Sequence, residues 1–383
     1  MLRFNLDYFL KTDLQICIDL PTSLKDFFKE KIIYSIYAEV AEFNASPFVK
    51  DKIVPARFYD WFVYQNSAIP LEVMYYLAKK FKVNFNEIEQ QIIFYKQKHV
   101  PAKNSIKNPN LPIQMHPYFT SIIANLIFDG SVPVDGKGTY YNQKNKEIMN
   151  DFIEKLKFIF GDVFYSLRLD HKKVLACRVP RIIGEICRLT YKVNSFGTFD
   201  SRVPEIIFNL SDEHKIAFVL TALIDEGSIA YDGRITFGVC NKLLCEDVKK
   251  LCAGLNLETT EVTKKSKSNY YYFCIKSKEK LLKTINFINK KYPLISLEYK
   301  EKRLLHYFET KKCSGLHTKA FGDLRKEKIL ACLENNSLSI NQLSVKLLVP
   351  PKSLSRHLSV LLDSKKINKK KSGCEYFYYL IPN

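Results

Sequence analysis

The chain is 383 residues long and carries 59 Lys and Arg against 40 Asp and Glu, a formal net charge of +19. That length allows two or three domains around a sizeable core, no apolar run of about 18 residues is present to span a membrane, and the opening Met-Leu-Arg-Phe-Asn-Leu-Asp lacks the apolar centre of a secretory signal. Such a cationic excess points to nucleic acid rather than to a membrane or a small-molecule substrate, the alternative being a surface merely rich in lysine; cytoplasmic, nucleoid-associated placement is expected.

Ten cysteines include no Cys-x-x-Cys pair, and no nearby His completes a zinc set around Cys240, Cys245 and Cys252. Reduced, mostly buried thiols are the expectation.

Residues 1–20 read as a short extended segment. From Ser23 to about Phe43, the residues Leu24, Phe27, Phe28, Ile32, Ile33, Ile36 and Val40 recur at helical spacing. Two shorter helical patterns follow, over 57–63 and 69–78, joined by polar Gln65, Asn66 and Ser67. Short helices with tight connections predict a helical, helix-turn-helix-like domain over 1–100, with a plain helical bundle as the alternative. Residues 101–117, with Pro101, Pro109, Pro112 and Pro117 among Lys, Asn and Ser, read as a linker.

Two stretches then stand out: Ile122-Ile-Ala-Asn-Leu-Ile-Phe-Asp-Gly-Ser131 and Leu220-Thr-Ala-Leu-Ile-Asp-Glu-Gly-Ser-Ile229. Each is an apolar run with small residues (Ala124; Thr221 and Ala222), then an acid, then Gly-Ser. The acids, Asp129 and Glu226, are 97 positions apart. Each run reads as a helix that lets a second backbone come close, ending at Gly130 or Gly227 in a left-handed cap. A carboxylate at a helix C-terminus is disfavoured by the dipole. Two of them, brought together by helices packed side by side, would make a seat for Mg²⁺. Asp225 points about 100° away from Glu226 on a helix and reads as structural.

After each motif the same order recurs. In 118–204 it is a strand at 140–142, a helix over 146–160, a hairpin from 163–169 and 174–179, and a helix from Ile182. In 205–310 it is a strand over 234–239, a helix over 244–255, a hairpin from 259–263 and 270–275, and a helix over 279–289. By two-residue alternation Ser166, Arg168 and Arg178 share one face, and Arg234, Thr236 and Lys276 another. Ribbons of this kind suit the major groove, where Arg reads guanine; an ordinary half-solvated sheet is the alternative. The hairpin tips, Lys172 and Lys173 in one copy and Lys264, Lys265 and Lys267 in the other, would meet phosphate.

Residues 311–323 read as a second linker and 324–383 as a winged-helix domain. Ser339 caps a helix over 342–347. A candidate recognition helix begins at Pro350-Pro351 and directs Lys352, Ser353, Ser355 and Arg356 to a groove. A lysine-rich hairpin over 367–379 follows as the wing. Winged helices also mediate protein contacts, which is the competing reading.

The two acid-bearing stretches resemble the LAGLIDADG, or dodecapeptide, homing-endonuclease family in its single-chain, two-motif form. Thr221 and Ala124 take the small position five residues before the acid, and Asp129-Gly130 and Glu226-Gly227 are intact; Phe128 departs from the pattern. The resemblance implies an α+β fold, a duplicated αββαββα-type core with pseudo-twofold symmetry. It implies sequence-specific, Mg²⁺-dependent hydrolysis of double-stranded DNA, with Asp129 and Glu226 as catalytic metal ligands and with Lys300 and Arg202 as basic residues near the phosphate. Two competing functions belong with it: a DNA-binding transcription regulator on the same fold, and an RNA maturase. A chain holding both motifs is expected to be a monomer with an asymmetric target. With Met at its start and no His-Asn at its end before Cys or Ser, it reads as free-standing rather than as an intein.

Overall fold

The computed structural model describes residues 3–47, 49, 51–133, 138–170, 173–266, 268–313, 318–334, 336–373 and 375–381. At its centre two helices lie side by side, Pro117–Phe128 and Asp212–Asp225. Proline at the first helical position and the His116 ring, whose Nδ1 accepts from Tyr118 N at 3.1 Å, start the first of them. Asp212 and Glu213 favour the positive end of the second. Residues 117–127 are buried all round, as a helix hydrophobic on every side must be.

Each central helix feeds a four-stranded antiparallel sheet of the same topology. The first sheet has the order Ser166–Leu169, Leu175–Val179, Thr139–Gln143, Gly130–Ser131. The second has the order Thr263–Lys264, Tyr271–Ile275, Ile235–Val239, Ser228–Ile229. Helices Lys146–Phe160 and Lys242–Gly254 join the strand pairs, and helices Arg181–Tyr191 and Lys278–Lys291 close the halves. The two copies therefore run helix, two strands, helix, two strands, helix. The short strand directly after each Gly escapes the sequence pattern because two residues are too few to show alternation.

The N-terminal region, expected as helical after an extended segment over 1–20, also contains a sheet. Helices Thr22–Ile32, Ile36–Asn44 and Leu71–Lys80 are present. They pack with a five-stranded antiparallel sheet in the order Ile69–Pro70, Ile16–Asp19, Phe94–Gln97, Ile106–Lys107, Asp162–Val163. The last strand belongs to the first motif half. Within residues 101–117, expected as a linker, Ile106–Lys107 pairs into this sheet and Ile113–Gln114 pairs with Arg3–Phe4, and Ile106 and Ile113 are buried. Their prolines interrupt the pattern without freeing the chain. One contiguous core runs from Phe4 to Leu304 through all three parts.

Residues 318–380 have a core of their own around Ile329, Leu343, Leu354, Leu358 and Ile367. Helices Thr318–Leu333, Ile340–Leu347 and Pro351–Asp363 are followed by the ribbon Ile367–Ser372 and Glu375–Leu380. Of residues 311–323, expected as a second linker, 311–313 belong to helix Tyr299–Cys313 and 318–323 to helix Thr318–Leu333; residues 314–317 lie outside the described residues. Among the described residues no helix is long and apolar enough to cross a membrane.

Candidate metal centre and nucleic-acid interface

Asp129 and Glu226 are the C-terminal cap residues of the two central helices, and both are half-buried. The glycine after each is required for a different reason from the left-handed cap expected. Neither Gly130 nor Gly227 has a positive φ. Instead, a Cβ on Gly130 would lie 2.4 Å from Leu126 Cα, and one on Gly227 2.5 Å from the Leu223 carbonyl oxygen. The chain turns back so tightly onto its own helix that no side chain fits.

The acids act on each other. Burial, then the charge of Asp129, pushes the Glu226 carboxyl up to about 7, against the pull of Lys300. Burial likewise raises Asp129, again opposed by Lys300. Carboxylates placed like this are the hard oxygen ligands that a divalent cation takes. Among the described residues no group of three or more His, Cys, Asp or Glu converges on one point. A cation held by Asp129 and Glu226 would complete its shell with water, backbone carbonyls or phosphate oxygens.

Lys300 is 4% exposed, and its ammonium donates to the carbonyls of Leu223 at 2.8 Å, Ile224 at 2.6 Å and Gly227 at 2.8 Å. All three of its donors are engaged, so it caps the negative end of the second central helix. Burial lowers its pKa to about 8, with Asp225, Asp129 and Glu226 opposing. Arg202 does not join this group. Its guanidinium grips Asp247 with two bonds, of 2.6 and 2.8 Å. Lys300 is among the charges acting on Asp129 and Glu226, and Arg202 is not. A buried carboxylate at sequence distance 45 captured it, which no local pattern announces.

Sequence reasoning missed a polar ladder behind the acids. Lys155 Nζ donates to Ser121 Oγ at 3.0 Å, and Ser121 Oγ meets Thr221 Oγ1 at 2.7 Å. Thr221 Oγ1 passes its own proton to the Ala217 carbonyl at 2.8 Å. One turn further on, Asn125 Nδ2 and the Tyr141 hydroxyl donate to the two oxygens of Asp225, at 2.9 and 2.8 Å. Burial first and the Asp129 charge second raise the Asp225 carboxyl, while these donors and Lys155 resist. The signal was available: Lys155 stands seven residues after Ile148, on the apolar stripe of its helix.

The strand registers fix the two outer faces. In the first sheet Ser166, Arg178 and Tyr140 form one cross-strand row, and Arg168, Ala176 and Asn142 the next. The Arg178 guanidinium lies 5.7 Å from the centre of the Tyr140 ring. In the second sheet Ser228, Thr236 and Cys274 form a row; Arg234 and Lys276 continue that face past the strand ends. Lys173, Lys264 and Lys265 are exposed at the tips, and Lys172 and Lys267 lie outside the described residues. In the C-terminal region Lys352, Ser355 and Arg356 are exposed on one helix face, whereas Ser353 is half-buried; Ser359, not anticipated, is exposed one turn on.

No family model and no curated protein matches the chain. Among solved structures, mesophilic variants of the homing endonuclease I-DmoI are similar at 15% identity, over 45% of this chain and 96% of that one, with a TM-score of 0.33. I-DmoI in complex with DNA and Ca is similar at 16% identity, over 50% and 97%, with a TM-score of 0.35. Full-length DUF199/WhiA from Thermatoga maritima is similar at 12% identity, over 67% and 93%, with a TM-score of 0.34.

Proposed function

We propose that the protein is a sequence-specific endonuclease of the homing type, hydrolysing double-stranded DNA with Mg²⁺. The observation that carries this reading is the placement of Asp129 and Glu226 at the ends of the two packed central helices, in equivalent places of a duplicated fold, close enough for the charge of Asp129 to act on Glu226. The cation they would hold activates water and stabilises the leaving oxygen of a phosphodiester. The chain itself does three things. The two sheets present Arg168 and Arg178 on one outer face and Arg234, Thr236 and Lys276 on the other, for base edges in the major groove. Lys173, Lys264 and Lys265 meet phosphates and set register. Lys300 neutralises the helix end, which keeps Glu226 ionisable.

The finer organisation belongs to the same proposal. The N-terminal region acts as a helix-turn-helix-like support, and residues 324–383 act as a winged helix with Lys352, Ser355 and Arg356 at a groove. One copy of the chain supplies both half-sites, in a cytoplasmic, nucleoid-associated setting. Cleavage of a randomised duplex library with Mg²⁺, compared with Asp129→Asn/Glu226→Gln, tests it.

A regulator that binds DNA without cutting it is the second reading. The engagement of all three Lys300 donors by backbone carbonyls favours it, because this lysine has none left to offer a phosphate. Sequence-selective retention without new DNA ends would identify that protein.

A further inference from the structure

We propose that the interface between the two halves is polar on one side and apolar on the other so that each half pairs only with the unlike half. Every assembled centre then holds one Asp129 and one Glu226, with one sheet of each kind beside them. The inference rests on the duplicated fold alone and holds whether the chain cuts DNA or only binds it.

The duplication gives each interface residue a counterpart. The motif acids set an offset of 97 for the central helices, so Ser121, Ala124, Asn125 and Phe128 correspond to Phe218, Thr221, Ala222 and Asp225. Past the motifs the offset is 96: Asn145 and Asn241 cap the next helices, and Tyr140 opposite Ser131 matches Thr236 opposite Ser228. Tyr141 therefore corresponds to Phe237, and Lys155 to Leu251.

On one side the contacts are polar, and their donors run in one direction. Asp225 accepts at both oxygens, from Asn125 Nδ2 at 2.9 Å and from the Tyr141 hydroxyl at 2.8 Å. Lys155 donates to Asn125 Oδ1 at 3.4 Å, which turns the amide nitrogen toward Asp225. Asn125 Nδ2 and Gln143 Nε2 donate to the Tyr141 oxygen at 3.1 and 3.3 Å, which leaves the phenol proton for Asp225. Ser121 follows the same direction. It receives from Lys155, and because Thr221 Oγ1 gives its own proton to the Ala217 carbonyl, Ser121 donates to Thr221. The first half supplies the donors and the second half the acceptors.

At the counterpart positions the junction is apolar. Phe128 stands where Asp225 does. Its ring centre lies 5.7 Å from that of Phe237, the counterpart of Tyr141, and 5.7 Å from that of Phe218, the counterpart of Ser121. Ala222 and Leu251, in the places of Asn125 and Lys155, are buried. This side shows that the junction closes on aromatic and aliphatic packing. What the polar side adds is discrimination between partners.

Like pairs fail on both sides. Two first halves would set each Phe128 against Asn125, Tyr141 and Lys155 of the other, and the donors would meet no acceptor. Two second halves would set each Asp225 against Phe218 and Phe237, a carboxylate among rings. A buried polar group left without its partner costs more than a made bond contributes, so only unlike pairing satisfies every member. A second one-sided bond reinforces the choice: Thr120 Oγ1 meets His214 Nδ1 at 2.6 Å, whereas the counterparts of these two residues are Ala217 and Pro117. The consequence reaches the sheets. A like pair would present two identical sheets and suit an inverted repeat, whereas the unlike pair presents two different ones.

The test uses the full chain with a protease site placed in the exposed stretch Gly197-Thr198-Phe199 between the halves, cut after folding. Two differently tagged batches are mixed in urea at a concentration where the pieces exchange, then returned to buffer. Native mass spectrometry counts the pieces in each complex, and circular dichroism checks folding. Wild type should give unlike pairs in at least about a hundredfold excess over like pairs. His214→Ala/Asp225→Phe takes from the second half the groups that need the first, and its second halves should pair with one another to within about tenfold of the unlike pairs. Asn125→Ala/Tyr141→Phe/Lys155→Leu should do the same for first halves, so either variant that folds carries the test. Asp225→Asn, which stays polar, should keep the pairs unlike. Statistical mixing of the wild-type halves would overturn the proposal. So would unlike pairing alone in the folded variants, since something other than this network would then choose the partner. Selection from a random duplex library forms a separate arm, in which like pairs should retain inverted repeats. If no pair retains a duplex, the DNA reading fails while the count of pairs still decides the proposal.

Discussion

Ser121 Oγ and Thr221 Oγ1 lie 2.7 Å apart across the two central helices, although 100 positions separate them in the chain. The contact exists because the residues around it, Ala124, Ala217 and Ala222, are small and fully buried. It sets how the helices are aligned, and so where Asp129 and Glu226 end up. Polar ladders of this kind specify one arrangement when every member is satisfied.

Enlarging this interface should therefore damage stability and the acid pair together. Thr221→Leu is expected to cost about 1–3 kcal/mol through overpacking and to remove the bond to Ser121. Thr221→Ser keeps the hydroxyl and is expected to stay close to wild type. Urea denaturation of both variants checks this; equal stability of Thr221→Leu and wild type would contradict it.

Lys155 supplies the positive charge behind the interface, and burial lowers its pKa to about 8 while Asp151 and Asp225 oppose. Lys155→Met removes a buried ammonium that acts on Asp225, leaving Lys300 as the other positive charge near it, and takes the donor from Ser121 and Asn125, for which a loss of about 1–3 kcal/mol is expected. Adding Asp225→Asn should recover much of it, because a neutral amide needs no partner charge. A denaturant double-mutant cycle measures the coupling, and additive losses would separate the two residues.

Glu89 predicts a pH dependence away from the acid pair. It is 1% exposed; one carboxylate oxygen accepts from Leu6 N, and Oε2 has no hydrogen-bond partner among the described residues. Burial pushes its pKa up to about 7, against the Leu6 N–H and with a small addition from Asp7. The folded state thus holds a proton that the unfolded state gives up from about pH 4.5. Stability falls as pH rises through this window and levels off above 7. Glu89→Gln should remove that fall, gaining up to about 3 kcal/mol on wild type at pH 8 relative to pH 5. A pH-independent difference between the two proteins would contradict it.

In the C-terminal region Ser339 Oγ accepts from Gln342 N at 3.3 Å, and Gln342 Oε1 accepts from Ser339 N at 2.8 Å. This reciprocal cap makes Ser339→Ala cost about 1 kcal/mol, read as a lower melting temperature.

Strong local chemistry was legible in the sequence. The apolar stripe of Lys146–Phe160, the Ser339 cap and the shared faces of Ser166, Arg168 and Arg178 follow from spacing alone, because periodicity and capping act within a few residues. What the sequence hid depends on partners far along the chain. Ile106 pairs with Val163, which turned an apparent linker into sheet. Arg202 found Asp247, and Lys300 found the end of a helix 73–77 residues away. The motif glycines were legible as necessary, but their reason lay in a close backbone approach rather than in φ.

The most direct measurement is cleavage of a large randomised duplex library with Mg²⁺, all new ends sequenced, for wild type and Asp129→Asn/Glu226→Gln. Recurrent ends at one sequence from the wild type, reduced at least about a hundredfold in a variant that still retains that sequence, are the predicted result. Equal cleavage by the two proteins would remove Asp129 and Glu226 from the chemistry. Retention of one sequence by both, with no new ends from either, would make the protein a DNA-binding regulator instead.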